Sequence, residues 1–131
     1  MKSDKKSFSK SNVREQKWED RIKYPAFCFR FLHKDYHVDK CNADEKICLL
    51  ERIVKLSNIS WQEIEYTGRH AFGSEKIDRN AVKKELPNEI TEDVPFFIAL
   101  RFDGNKAFVG FRNKFVFHVL YVDRDFTLYN H

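Results

Sequence analysis

Glycine, proline and cysteine are all scarce in this chain of 131 residues, with four, three and three copies. The glycines stand singly, at Gly68, Gly73, Gly104 and Gly110, so there is no glycine-rich loop to cradle a phosphate. An odd number of cysteines at irregular spacing, Cys28, Cys41 and Cys48, argues against a disulfide framework and fits a reducing cytoplasm. Cys28, His33, His37 and Cys41 do follow a C-x4-H-x3-H-x3-C spacing, but it lacks the short paired-ligand knuckle of structural zinc sites. The acidic residues form no paired ligand motif either, so no metal and no cofactor are expected. Long apolar runs are missing: none reaches membrane-span length and none follows the opening lysines, so neither a membrane helix nor a signal peptide is expected. Charge of one sign is lacking as well. Lys and Arg number 24 against 20 Asp and Glu, a net +4 that falls short of the basic excess of a non-specific nucleic-acid coat.

What the chain has is aromatic bulk. Aromatics make up 15 % of residues and 13 of them are Phe, enough for a real core without metal or disulfide staples. The opening Met1–Lys17 is Ser-rich and basic with little apolar content, and reads as a disordered arm, a solubilising tail before an RNA-binding one. Residues 18–131 read as a single α+β domain. Val13 to Tyr24 is expected to hold a short helix around Trp18 and Ile22, stopped by Pro25. Ala26 to Leu32 alternates three Phe with smaller residues and reads as a first strand; apolar residues on both sides place it inside the sheet.

Asn42 and Glu45 form a capping-box pattern that opens a helix, with Ile47, Leu50, Ile53, Val54 and Leu56 near helical spacing. Ser60 and Glu63 repeat the pattern before a shorter helix through Trp61 and Ile64, giving a helical hairpin. Gly68 to Glu92 is the least legible stretch: a loop through Gly73, then a strand or short helix within Ser74 to Leu86. Pro87 and Pro95 bracket a connection into the most informative part of the chain.

That part is Phe96 to Phe102, Lys106 to Arg112 and Phe115 to Val122, three strand-like runs joined by tight turns at Asp103 to Asn105 and at Asn113 and Lys114. An antiparallel meander follows. With even loops, one face collects Ile98, Leu100, Phe102, Ala107, Val109, Phe111, Val116, Leu120 and Val122, and packs on the helical hairpin. The other collects Phe97, Arg101, Phe108, Gly110, Arg112, Phe115, Phe117 and Tyr121. Rings between guanidinium groups suit single-stranded nucleic acid, the rings stacking on bases and the arginines holding phosphates. They also suit nothing more than a hydrophobic face covered by another segment or subunit, the commoner case for such strands.

Strand, helix, helix, connection and antiparallel meander, with the segment Ile98 to Arg112, then Val116 to Val122 and the closing Asp123 to Tyr129, resembles the RelE-type ribosome-dependent ribonuclease toxins. The closing segment also looks like small bacterial proteins carried on mobile elements. The toxin resemblance implies a metal-independent endoribonuclease acting on ribosome-bound messenger RNA, with an antitoxin as protein partner; the alternative is a non-catalytic interaction module, with a homodimer among its forms. By that resemblance Arg112, Arg124 and Tyr129 stand at catalytic positions, with Arg101 and Lys106 on the RNA. Phe108, Tyr121 and Arg69 are added as RNA contacts, and His70 shares the Arg69 loop.

Arginine is a poor general base because its pKa lies above about 12, so His118, Tyr129 or His131 are the proton-transfer candidates. His118 falls on the apolar face, where a histidine is more often part of the core. Asp123 and Asp125 flank Arg124 and are expected to neutralise it.

Overall fold

A computed structural model describes residues 18–67, 73–82 and 84–130. The expected basic arm lies outside the described residues, as do Arg69, His70 and His131. A single helical turn, α1 (Trp18–Arg21), is followed by β1 (Ala26–Cys28), α2 (Ala43–Leu56), α3 (Trp61–Thr67), β2 (Glu75–Asp78), β3 (Phe96–Asp103), β4 (Lys106–Asn113) and β5 (Val116–Asp123). Short 3-10 turns at Lys34–Tyr36, Val38–Lys40 and Arg79–Ala81 fill the connections.

The fold is α+β. The meander forms, but as the centre of a five-stranded mixed sheet ordered β1-β5-β4-β3-β2, in which β1 runs parallel to β5 and the other pairs are antiparallel. The expected order therefore needs two corrections. The connection holds a strand, β2, one of the two alternatives expected for Ser74 to Leu86, which adds to the three-stranded meander, and β1 lies at an edge rather than inside the sheet. β1 is also short. After Cys28 the chain turns, Leu32 N–H bonding the Phe29 carbonyl, and His33 N–H donates to the Leu120 carbonyl at 2.7 Å. Apolar residues occupy both sides of the run because its second half leaves the sheet: Leu32 packs into one core and Phe31 into the other.

Both hairpin loops contain two residues, and the first of each, Gly104 and Lys114, takes a positive φ of 60°. The faces nevertheless differ from expectation, because each hairpin carries a bulge. Arg101 pairs with Ala107 but Asp103 pairs with Lys106, which makes Phe102 an extra residue. Val109 pairs with Tyr121 but Gly110 pairs with Val119, which makes Leu120 another. One extra residue moves every later side chain to the opposite face.

The helix-facing side thus holds Ile98, Leu100, Phe102, Phe108, Phe117, Val119 and Val122, closed by Leu49, Leu56, Trp61 and Ile64 of α2 and α3. The reverse side holds Phe97, Ala99, Ala107, Val109, Leu120 and Tyr121, closed by Tyr36, Ile90, Leu128 and Tyr129. Each fully buried large side chain contributes roughly 1.5–3 kcal/mol. Among the described residues Phe97, Phe102, Phe108 and Phe117 are buried between these layers, whereas Phe96 stays exposed.

Gly110 sits at the second bulge. A Cβ there would lie 1.9 Å from the His118 carbonyl oxygen, so only glycine lets β5 approach this closely.

Candidate functional site

The capping box opening α2 forms as its residues predict: Asn42 Oδ1 accepts from Glu45 N–H and Glu45 Oε1 accepts from Asn42 N–H, both at 2.8 Å. That fold-back also aims the Glu45 carboxylate at the sheet, where β4 begins and β5 ends. Arg124 meets it with Nε on Oε1 and Nη2 on Oε2, each at 2.8 Å, and Lys106 Nζ reaches Oε2 at 2.9 Å. Glu45 is 1 % exposed. Hydrogen bonds from Arg124, then Lys106 and the Asn42 backbone, hold its carboxyl down at about 2. Lys106 also lies 3.4 Å from Asp103, and Arg124 lies 2.6 Å from Asp125.

Lys106, expected on the RNA, and Arg124, expected at a catalytic position, are therefore shared among three carboxylates. Asp125 neutralises Arg124 as expected. Asp123 instead accepts the backbone N–H groups of Thr127 and Leu128 and closes the turn that follows β5.

Arg112 is elsewhere. Its guanidinium lies 4.6 Å from the centre of the Trp61 ring, Nη1 is 3.1 Å from Glu65 Oε2, and Nε donates to the Lys114 carbonyl at 2.6 Å. Trp61 Nε1 donates in turn to the Phe115 carbonyl at 2.8 Å. Arg112 thereby fastens α3 to the β4–β5 turn. It projects toward the helices, whereas Arg101, which pairs with Ala107, projects to the reverse side. The two arginines expected on one face are on opposite faces, and the bulge at Phe102 is the reason.

The expected stacking rings are inside. Phe108 is fully buried, edge-on to Phe27 and Phe117. Tyr121 is fully buried and donates to the Glu85 carbonyl at 3.1 Å; burial pushes its phenol up to about 12. Tyr129 is buried on the same side, and its phenol is likewise raised to about 12, mainly by burial. His118 stacks on Phe111 at 4.9 Å and lies 5.9 Å from Phe31. Its buried Nδ1 has no hydrogen-bond partner among the described residues, and burial lowers its pKa, so the neutral ring is favoured.

Arg101 and Tyr129 are the expected RNA-site residues that share a hollow outside the Glu45 cluster. It measures about 290 Å³ and is also lined by Gly73, Glu75, Asn105 and Asn130. Arg101 makes no ion pair with a described residue. Gly73, at φ 70°, presses on the stem of Arg101: a Cβ there would come within 2.7 Å of the Arg101 Cβ.

Sequence reasoning missed one surface altogether. Ile47, Leu50 and Val54 of α2, named from the sequence only for their helical spacing, are 55 %, 63 % and 57 % exposed. At about 100° per residue they form one stripe, facing away from Glu45, Leu49 and Leu56. The signal was present as two apolar stripes in a single helix.

A scan against protein-family models, a search of curated proteins and a search of solved structures each found no match to this chain.

Proposed function

We propose that this chain is a non-catalytic protein-interaction module that docks through the outer face of α2. The observation that carries this reading is the stripe of Ile47, Leu50 and Val54, each more than half exposed on a well-capped 14-residue helix. Three large aliphatic side chains in water, one turn apart, are a helix face awaiting a partner. The aromatic sheet face considered from the sequence is unsuitable for this role, because Phe97, Phe108 and Phe117 are fully buried. A photo-crosslinking residue placed at Leu50, and separately at exposed Gln62 of α3, tests the reading in cells. Adducts at position 50 that are absent at 62 support it; none at 50, or the same adducts at both, removes it.

A second reading, an RNA-binding protein resembling the RelE-type toxins, rests on the hollow shared by Arg101 and Tyr129. Arg101 is there without an ion pair to a described residue, and the Glu75 carboxylate, a phenol and two amides line the same hollow. On this reading, induced expression halts growth and leaves new messenger-RNA ends, and Arg101→Ala abolishes both effects. Intact RNA with soluble wild-type protein would exclude it.

A further inference from the structure

The outer stripe of α2 has a pattern that specifies its occupant. With Ile47 as position a of a heptad, Leu50 falls at d, Val54 at the next a and Ala43 at the preceding d. All four are exposed. β-branched residues at a with leucine at d are the combination that favours two parallel strands.

The residues flanking the stripe agree. Lys46 occupies g on one side and Glu51 occupies e on the other, both exposed and neither in an ion pair with a described residue. In a parallel pair, g of one helix meets e of the other, which brings Lys46 against Glu51 of the second copy, twice by symmetry. An antiparallel pair would set each flank against itself and leave Lys46 without Glu51.

We propose that a second copy of this chain docks on the outer face of α2, the two helices running parallel about a two-fold axis with Ile47, Leu50 and Val54 at the seam. This rests on the interaction-module reading and names its partner. The contact is isologous, so it closes at two copies and leaves no stripe free for a third. The Glu45 cluster lies on the opposite side of α2 and is untouched by docking.

Sedimentation equilibrium of the intact chain tests the proposal, with circular dichroism confirming that each variant is folded. The wild type should form a concentration-dependent dimer and Leu50→Glu should be monomeric. Lys46→Glu and Glu51→Lys should each weaken dimerisation by roughly tenfold, and the double reversal should restore it. A wild type that stays monomeric to its solubility limit, a Leu50→Glu variant that dimerises like wild type, or a double reversal no tighter than the single ones overturns the proposal. A monomeric wild type that still gives Leu50 adducts with another protein in cells leaves the interaction module standing and removes only the second copy. Absence of both dimer and adducts removes both.

Discussion

Arg124 grips Glu45 at two points across 79 residues of sequence, each nitrogen 2.8 Å from its own carboxylate oxygen. The same carboxylate caps α2 and binds Lys106, so one buried side chain joins the first turn of the helix, the start of β4 and the end of β5. A planar guanidinium matched to a carboxylate is a strong and directional contact, and here it fixes how α2 sits on the sheet.

The pH dependence of stability follows from that contact. Glu45 ionises at about 2 in the folded chain against an ordinary 4.5, so its stabilisation is fully present above about pH 4.5 and is lost as pH falls toward 2. Glu45→Gln should lower the melting temperature at neutral pH, and the gap to wild type should close progressively between pH 4.5 and 2. Thermal melts of both proteins across that range check this; a constant gap would show that the charge is not responsible.

Two glycines of the meander should respond very differently to alanine. Gly110→Ala forces a methyl group onto the His118 carbonyl and should cost about 3 kcal/mol, through displacement of the bulge. Gly104→Ala meets nothing within 4 Å and should cost only about 1 kcal/mol, for its positive φ. Urea midpoints of the two variants measure the difference.

Arg112→Ala should destabilise by about 1 kcal/mol, because the lost contacts with Trp61 and Glu65 are partly exposed. Trp61 should report the loss as a change in fluorescence, its ring having lost the guanidinium above it. Arg112→Lys should recover part of the Glu65 attraction but not the flat stacking on the indole. Chemical denaturation followed by tryptophan emission separates these outcomes.

At high pH the buried phenols take over. Tyr121 and Tyr129 stay protonated to about 12 in the folded chain, so stability should hold below about pH 10, the ordinary tyrosine value, and decline between 10 and 12. Ultraviolet titration should show two late-ionising phenols, one of which disappears in Tyr129→Phe.

Local chemistry was legible in the sequence and register was not. The Asn42–Glu45 cap, the place of both tight turns to within one residue and the three long strands follow from residue type and spacing. The bulges at Phe102 and Leu120 do not, because no residue in either strand announces an unpaired position; Gly110 opposite the second one was the nearest signal. The insertion at Phe102 accounts for the separation of Arg101 from Arg112. The cap at Glu45 was visible, but its two oxygens find Arg124, and Oε2 finds Lys106, only once the strands are assembled. In α2, Leu49, Ile53 and Leu56 satisfy helical spacing as well as Ile47, Leu50 and Val54 do, and only the docked sheet selects between the stripes.

The parallel pairing of β1 with β5 has a consequence for synthesis. Ala26 pairs with Val116, so β1 finds its partner only after β3, β4 and β5 have been made. Until then Phe27 lacks the rings of Phe108 and Phe117 that shelter it. The nascent chain must carry that phenylalanine without its ring partners until β4 and β5 follow, a pairing over long sequence separation that slows folding.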